Sequence, residues 1–131
     1  MSKRFLIAGA FFACTAVMLG AFGAHGLSSQ LGDSDLHVFH TAVEYQFYHA
    51  LCLLFIGFFS QQYITKLITI AGNLFIAGII LFSGSLYILS IAALICASKF
   101  TWIGILTPIG GFFFIAGWIL MLYSFWKIKL P

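Results

Sequence analysis

An all-α bundle of four membrane-spanning helices is the fold this sequence predicts, and three observations predict it. The 131-residue chain is 63% hydrophobic and only 7% charged, with a mean hydropathy of +1.12, whereas a soluble domain carries about 25% charged residues. Its apolar residues gather into four runs of roughly 20 residues or more, the length a helix needs to cross a bilayer. Those runs do not alternate polar and apolar positions, as the ~10-residue strands of a membrane barrel would.

The spans are expected at residues 5–24, 39–59, 67–95 and 102–126, within one domain covering residues 1–131. The first follows Lys3 and Arg4, as the apolar core of a signal peptide would. It has no convincing small-x-small cleavage site after it, and Phe11-Phe12-Ala13-Cys14 is a poor lipoprotein box, so the span is expected to be retained. The second is the polar one. The third has residues to spare. In the fourth, Pro108 removes a backbone donor and crowds the preceding turn. Thr107, Pro108, Gly110 and Gly111 therefore mark a kink or a helix start, with the Thr107 hydroxyl available to freed carbonyls. Trp102 and Trp126 suit the two membrane interfaces, while Trp118 falls at depth.

Lys3, Arg4, Lys66, Lys127 and Lys129 fall on one side of a four-span arrangement, and Lys99 alone on the other. The excess of basic residues on the cytoplasmic side of membrane proteins then predicts that both termini are cytoplasmic. His25, Asp33, Asp35 and His37 would lie in an outer loop. The net charge of +3 is thus an orientation signal. No basic cluster is large enough to track phosphates, so nucleic acid is not an expected partner. Cys14, Cys52 and Cys96 stand alone, with no spacing that makes a metal or redox pair.

Without a hydrophobic drive between helices in lipid, packing relies on small residues. The first span supplies Gly9, Ala13, Ala16, Gly20 and Gly23 on one stripe. The third has Ala71, Gly78 and Ser85 at heptad spacing, and the fourth has Gly110, Gly117 and Ser124.

The chemistry concentrates in Phe39-His40-Thr41-Ala42-Val43-Glu44-Tyr45-Gln46-Phe47-Tyr48-His49, which holds the only glutamate of a chain with three acidic side chains. An ionisable group at bilayer depth needs a partner, a wet cavity or a job. On a helical wheel His40, Thr41, Glu44, Tyr45, Tyr48 and His49 share one half, with Gln46 the exception on the apolar side. That polar half is expected to face into the bundle as a ladder descending from the outer surface. A structural network, a proton or small-solute pathway, and a lipid, quinone, haem or metal site all remain open for it. No histidine pair carries a strong zinc motif, and His25 and His49 sit at mismatched depths for a bis-histidine haem. Ser83 and Ser85 lack the G-x-S-x-G pattern of a nucleophile elbow, and neither a phosphate loop nor a dinucleotide fingerprint occurs.

Gly20-Ala21-Phe22-Gly23-Ala24-His25-Gly26-Leu27, Thr41-Ala42-x-x-Tyr45-Gln46-x-Tyr48-His49-Ala50, Phe82-Ser83-Gly84-Ser85-Leu86-Tyr87 and Thr107-Pro108-Ile109-Gly110-Gly111 up to Gly117-Trp118 occur in that order. As a set they resemble the YgdD-like family of small bacterial inner-membrane proteins, a family of unknown function with mitochondrial relatives. The resemblance covers essentially the whole chain. It implies four spans in a bacterial inner (plasma) membrane and no known catalytic activity or cofactor. It also selects His25, Tyr45, His49, Ser83, Ser85, Tyr87, Pro108 and Gly110 as shared positions, leaving His37 and Glu44 unmatched. The expected protein is non-enzymatic, with a structural, membrane-stabilising or assembly role. Its partners would be the lipid bilayer and either copies of itself or other membrane proteins. Within it, Tyr45, Tyr48 and His49 are expected to meet the hydroxyls of Ser83, Ser85 and Tyr87.

Overall fold

Each apolar run becomes a helix because backbone groups that find no water in a bilayer must bond within their own segment. The structure is a computed structural model that describes residues 2–63, 65–95 and 98–128, without the side chains of Ala93, Ser98, Lys99 and Thr101. Cys96 and Lys129, and the side chain of Lys99, therefore lie outside the described residues. Helix α1 (Ser2–Phe22) runs on through a π-helical turn, Gly23–Leu27. Helix α2 spans Asp33–Phe59. Helix α3 (Lys66–Gly78), a second π turn (Ile79–Ser83) and α4 (Gly84–Leu94) form one continuous rod. A 3₁₀ segment, Ser98–Ile105, leads into α5 (Leu106–Lys127). Four stretches are long and apolar enough to cross a membrane: Ser2–Leu27, Asp33–Phe59, Lys66–Ala92 and Trp102–Lys127. The described residues contain no strand.

The helix ends have local causes. Asp33 and Asp35 occupy the first turn of α2, where negative charge complements the helix dipole. Thr65 caps α3 by accepting the Ile68 amide at 3.2 Å, one of the amides that lacks an intrahelical partner. Pro108 falls in the first turn of α5, where its missing N–H is no loss. The Thr107–Gly111 feature is thus a helix start. Thr107 does not serve a carbonyl freed by the proline; its hydroxyl lies 2.6 Å from Ser85 Oγ.

Helix α1 lies antiparallel along α2, and its small-residue stripe forms the seam. Gly9 meets the Ala50 and Leu54 backbones, Gly20 meets Val43 and Gly23 meets Phe39. A Cβ on Gly9 would sit 2.9 Å from the Ala50 carbonyl oxygen. Helix α5 packs on α3 and its π turn, with Gly117 under Phe75, Gly78 under Phe114 and Gly110 against the backbone of Phe82. Helix α4 lies against α2 and the 3₁₀ segment. Phe5, Leu53, Ile56, Ile68, Phe75, Phe114 and Met121 form the main core. A smaller cluster of Leu27, Leu31 and Phe39, joined by Tyr87, closes the other end.

Gly110 tests this arrangement. A Cβ there would overlap the Phe82 amide nitrogen and lie 2.8 Å from its Cα, whereas a Cβ on Gly111 stays 3.8 Å from the nearest Phe82 ring atom. Gly110→Ala is expected to destabilise the purified protein by about 1–3 kcal/mol, the usual range for overpacking. Gly111→Ala should remain near wild type in the same thermal unfolding measurement in detergent.

A neutral polar hub inside the bundle and an acidic face outside it

The side chain that the wheel set apart as an exception is the one at the centre. Gln46 is only 4% exposed. Its Nε2 donates to the Phe12 carbonyl at 2.9 Å and to Thr15 Oγ1 at 2.8 Å, both on α1. Its Oε1 accepts the Tyr87 hydroxyl of α4 at 2.9 Å. One amide therefore joins three helices. Gln suits this place because it is uncharged and carries donors and an acceptor at opposite sides of one planar group.

One turn further along the same face, His49 is also buried. Its Nδ1 lies 2.7 Å from the Tyr45 carbonyl, and its Nε2 accepts the Trp118 indole N–H at 3.2 Å. An indole only donates and a carbonyl only accepts, so the pattern assigns the neutral tautomer with its proton on Nδ1. The Phe114 ring lies parallel to the imidazole, 3.5 Å between centroids and 9° between planes, and the Phe75 ring stands 5.2 Å away. Both nitrogens are engaged. As placed, His49 has no free lone pair for a metal or for taking a proton from a nucleophile.

The serines are likewise packing groups. Ser85 donates to the Phe82 carbonyl at 2.9 Å, which leaves Thr107 to donate to Ser85 Oγ. Ser90 returns its hydroxyl to the Leu86 carbonyl at 2.7 Å. Ser83 Oγ is buried without a partner, in the π turn. No base stands beside any of these hydroxyls among the bonds of the described residues, so none is activated for attack.

Of the ladder expected to face inward, His49 alone is buried, and Glu44, Tyr45 and Tyr48 turn outward. Glu44 and Tyr48 are exposed, Tyr48 at 55%, and His40 is half-buried edge-on to Phe39. Tyr45 lays its ring on Phe82 with centroids 4.7 Å apart and leaves 39% of its surface outside. The expected contact of Tyr45, Tyr48 and His49 with the Ser83, Ser85 and Tyr87 hydroxyls is therefore not formed: Tyr87 turns to Gln46 and Ser85 to Thr107. His25 is exposed in the first π turn, away from His49. The reason lies in the α2 face that is buried, namely Phe39, Ala42, Gln46, His49, Ala50, Leu53, Ile56 and Gly57. Its alanines and glycine accept the α1 backbone closely, and a carboxylate turned inward there would need charged or multiple donors to offset its desolvation. Among the described residues no three His, Cys, Asp or Glu side chains come together as a metal site would require. Cys14 and Cys52 are free thiols.

Sequence reasoning placed His49 and Trp118 in the membrane without pairing them, and it set Gln46 aside. The missed signal was spacing: Phe39, Ala42, Gln46, His49, Leu53 and Ile56 recur at intervals of three and four, the repeat of one buried helix face.

These features define a helical membrane protein with a neutral, hydrogen-bonded interior. A family model described as a protein of unknown function, DUF423, matches residues 19–111. The chain belongs to that family. It is 46% identical over 123 residues to the UPF0382 membrane protein YwdK of Bacillus subtilis (strain 168), covering 93% of this chain and 95% of that one. It is also 46% identical over 127 residues to a UPF0382 membrane protein of Staphylococcus aureus (strain bovine RF122 / ET3-1), covering 95% and 97%. A Staphylococcus haemolyticus relative is 43% identical over the same length. No solved structure matches the chain. The resemblance drawn from the four motif segments, to a family of small membrane proteins of unknown function, is thereby borne out.

Two measurements probe the hub. In a double-mutant cycle, Gln46→Ala and Tyr87→Phe should couple by about 0.6 kcal/mol and by at most ~1.7 kcal/mol, the range for hydrogen bonds between membrane helices; additive effects would mean the bond is not made. Nitrogen-15 NMR of labelled histidine should show one ring at neutral pH with Nδ1 protonated and Nε2 bare. The Nε2 signal of that ring should move on Trp118→Phe.

Proposed function

We propose that this protein is a non-catalytic component of the bacterial cytoplasmic membrane, with both termini inside, that acts by lateral association with a second copy of itself. The observation that carries the reading is Glu44. It is exposed on a membrane-spanning helix and takes no part in the hydrogen bonds that hold the bundle together. A charged side chain near the centre of a span costs about 2.5–3.5 kcal/mol on insertion scales. Glu44 and Tyr48 border a groove of about 430 Å³ between α1 and α2, whose α1 wall is Ala16, Val17, Gly20 and Ala21. Small residues of this kind let another helix approach.

The face is complementary to itself. A carboxylate acceptor lies one turn from the His40 imidazole on one side and the Tyr48 hydroxyl on the other. In a two-fold contact residue i of one copy meets residue j of the other and the reverse, so each Glu44 gains a donor from the partner. The non-catalytic reading rests on His49, whose two nitrogens both serve packing, and on a family for which no activity is described. The inward His49 and the outward Glu44 and Tyr48 also lie on different sides of α2, which disfavours a continuous proton or solute path along it.

Energy transfer between two labelled populations in liposomes tests the association. Transfer should rise with the protein-to-lipid ratio. Glu44→Leu, which makes the monomer comfortable in lipid, and Ala21→Phe, which fills the groove, should each weaken association by about tenfold, the loss of roughly 1.4 kcal/mol. Transfer unchanged by both substitutions would sink the proposal, as would a wild-type protein that stays monomeric at every ratio.

A further inference from the structure

A second groove lies between α1 and α3 on the inner half of α1, and it differs from the first in charge. It holds about 550 Å³ and is lined by Lys3 and Arg4 at its mouth and by Ile7, Phe11, Phe12 and Ile76 along its walls. Helix directions place Lys66, at the start of α3, and Lys127, at the end of α5, at this same end of the bundle. The Arg4 guanidinium is held in place there. It donates to Asn73 Oδ1 on α3, and its carbon stands 5.1 Å from the centre of the buried Phe5 ring. A guanidinium has five N–H donors, so most remain for a ligand, in the planar fork that suits phosphate. At 1.5 Å per residue, Phe11 lies about 10 Å below Arg4. An anchored cation at the rim of a membrane protein, above an apolar slot running toward the bilayer centre, has the two halves that a phospholipid requires.

We infer that this α1–α3 groove binds one anionic phospholipid, with its phosphate at Arg4 and Lys3 and an acyl chain along Ile7, Phe11 and Ile76. Basic pockets between membrane helices take anionic headgroups in this manner. The groove beside Glu44 would repel the same headgroup, which sets the two faces of the molecule apart. The inference is independent of the association proposed above. Asn73 is a positioning residue: it fixes the guanidinium and leaves the phosphate to Arg4.

Native mass spectrometry of the full chain in detergent, with phosphatidylglycerol or phosphatidylethanolamine added, tests it. Phosphatidylglycerol should be retained one to one in preference to phosphatidylethanolamine. Replacing both cations (Lys3→Gln with Arg4→Gln) should lower that retention by roughly tenfold or more, because the phosphate loses both charged partners that line the groove. Phe11→Ala should lower it with the charges intact; Phe11 is 60% exposed, so the fold does not depend on it. Lys66 and Lys127 do not line the groove, so Lys66→Gln with Lys127→Gln should leave retention within about twofold of wild type, as expected for screened charges outside the site. Equal retention of the two lipids overturns the inference, and so does retention unchanged in the Lys3/Arg4 or Phe11 variants. An equal loss in the Lys66/Lys127 variant reveals general charge attraction and also overturns it. Excess inorganic phosphate should fail to displace the lipid; full displacement would make this a soluble-anion site, against the inference.

Discussion

The bundle is organised around the requirement that one buried amide be satisfied on both of its sides. Gln46 is buried and cannot leave its N–H groups or its carbonyl unpaired without a penalty of about 1–3 kcal/mol. Its donors point to α1 and its acceptor to α4, so those two helices must flank α2. The glycines and alanines of α1 then determine how closely the first flank approaches. Phe39 and Tyr87 meet edge to face at 5.1 Å on the other. His49 repeats the arrangement one turn on, linking α2 to α5 through Trp118. Hydrogen bonds between membrane helices are individually modest, and their value here is directional. Apolar contacts among Leu, Ile and Phe would tolerate many rotations of α2, whereas the Gln46 bonds admit one.

The molecule also separates its polar groups by kind. Inside are neutral groups, namely a glutamine, an uncharged histidine and hydroxyls, all hydrogen-bonded except Ser83 Oγ. Among the described residues the charged groups lie outside, with Glu44 toward one half of the bilayer and Lys3 and Arg4 at the opposite end of α1. The division follows from dielectric. Burying a charge deep in a protein strips its hydration at a cost of several kcal/mol, whereas at the perimeter headgroups, water or another protein surface can reach it. The Lys127 ammonium, 4.5 Å from the centre of the Tyr123 ring, and the neighbouring exposed Trp126 follow the same rule at the end of α5.

How far could these arrangements be read beforehand? The four helices were legible because length and apolarity alone decide them, and the α1 seam was legible because glycine and alanine admit a backbone that larger residues exclude. The helix start at Pro108 followed from a missing N–H. The inner face of α2 was misjudged, for a reason visible on the wheel. Glu44 and His49 lie about 140° apart, so a face wide enough to hold both must straddle the boundary of the buried stripe. Polarity by itself does not say which side turns inward; satisfiability does, and Gln46 can be satisfied by neutral partners where Glu44 cannot. The pairing of Trp118 with His49 depends on the rotation of α5 against α3, which Gly78, Gly110 and Gly117 set jointly and which no single helix reveals. Neither π turn has a sequence signature, since each is a property of the hydrogen bonds and not of residue type.

The second π turn has a wider consequence. Gly84 N–H reaches back to Ile79 O, so the rod holds one residue more in that turn than an α-helix would. Everything beyond it is turned by about 100° relative to an unbroken helix. Helix α3 can thus address α5 while α4, on the same rod, addresses α2 with Tyr87. In effect the turn is a phase shifter: one span presents two differently aimed faces to two neighbours. For a chain this short, the device gives four spans the connectivity of five. It also makes the residue count between Gly78 and Gly84, more than the identity of any residue there, the quantity that a working sequence must preserve.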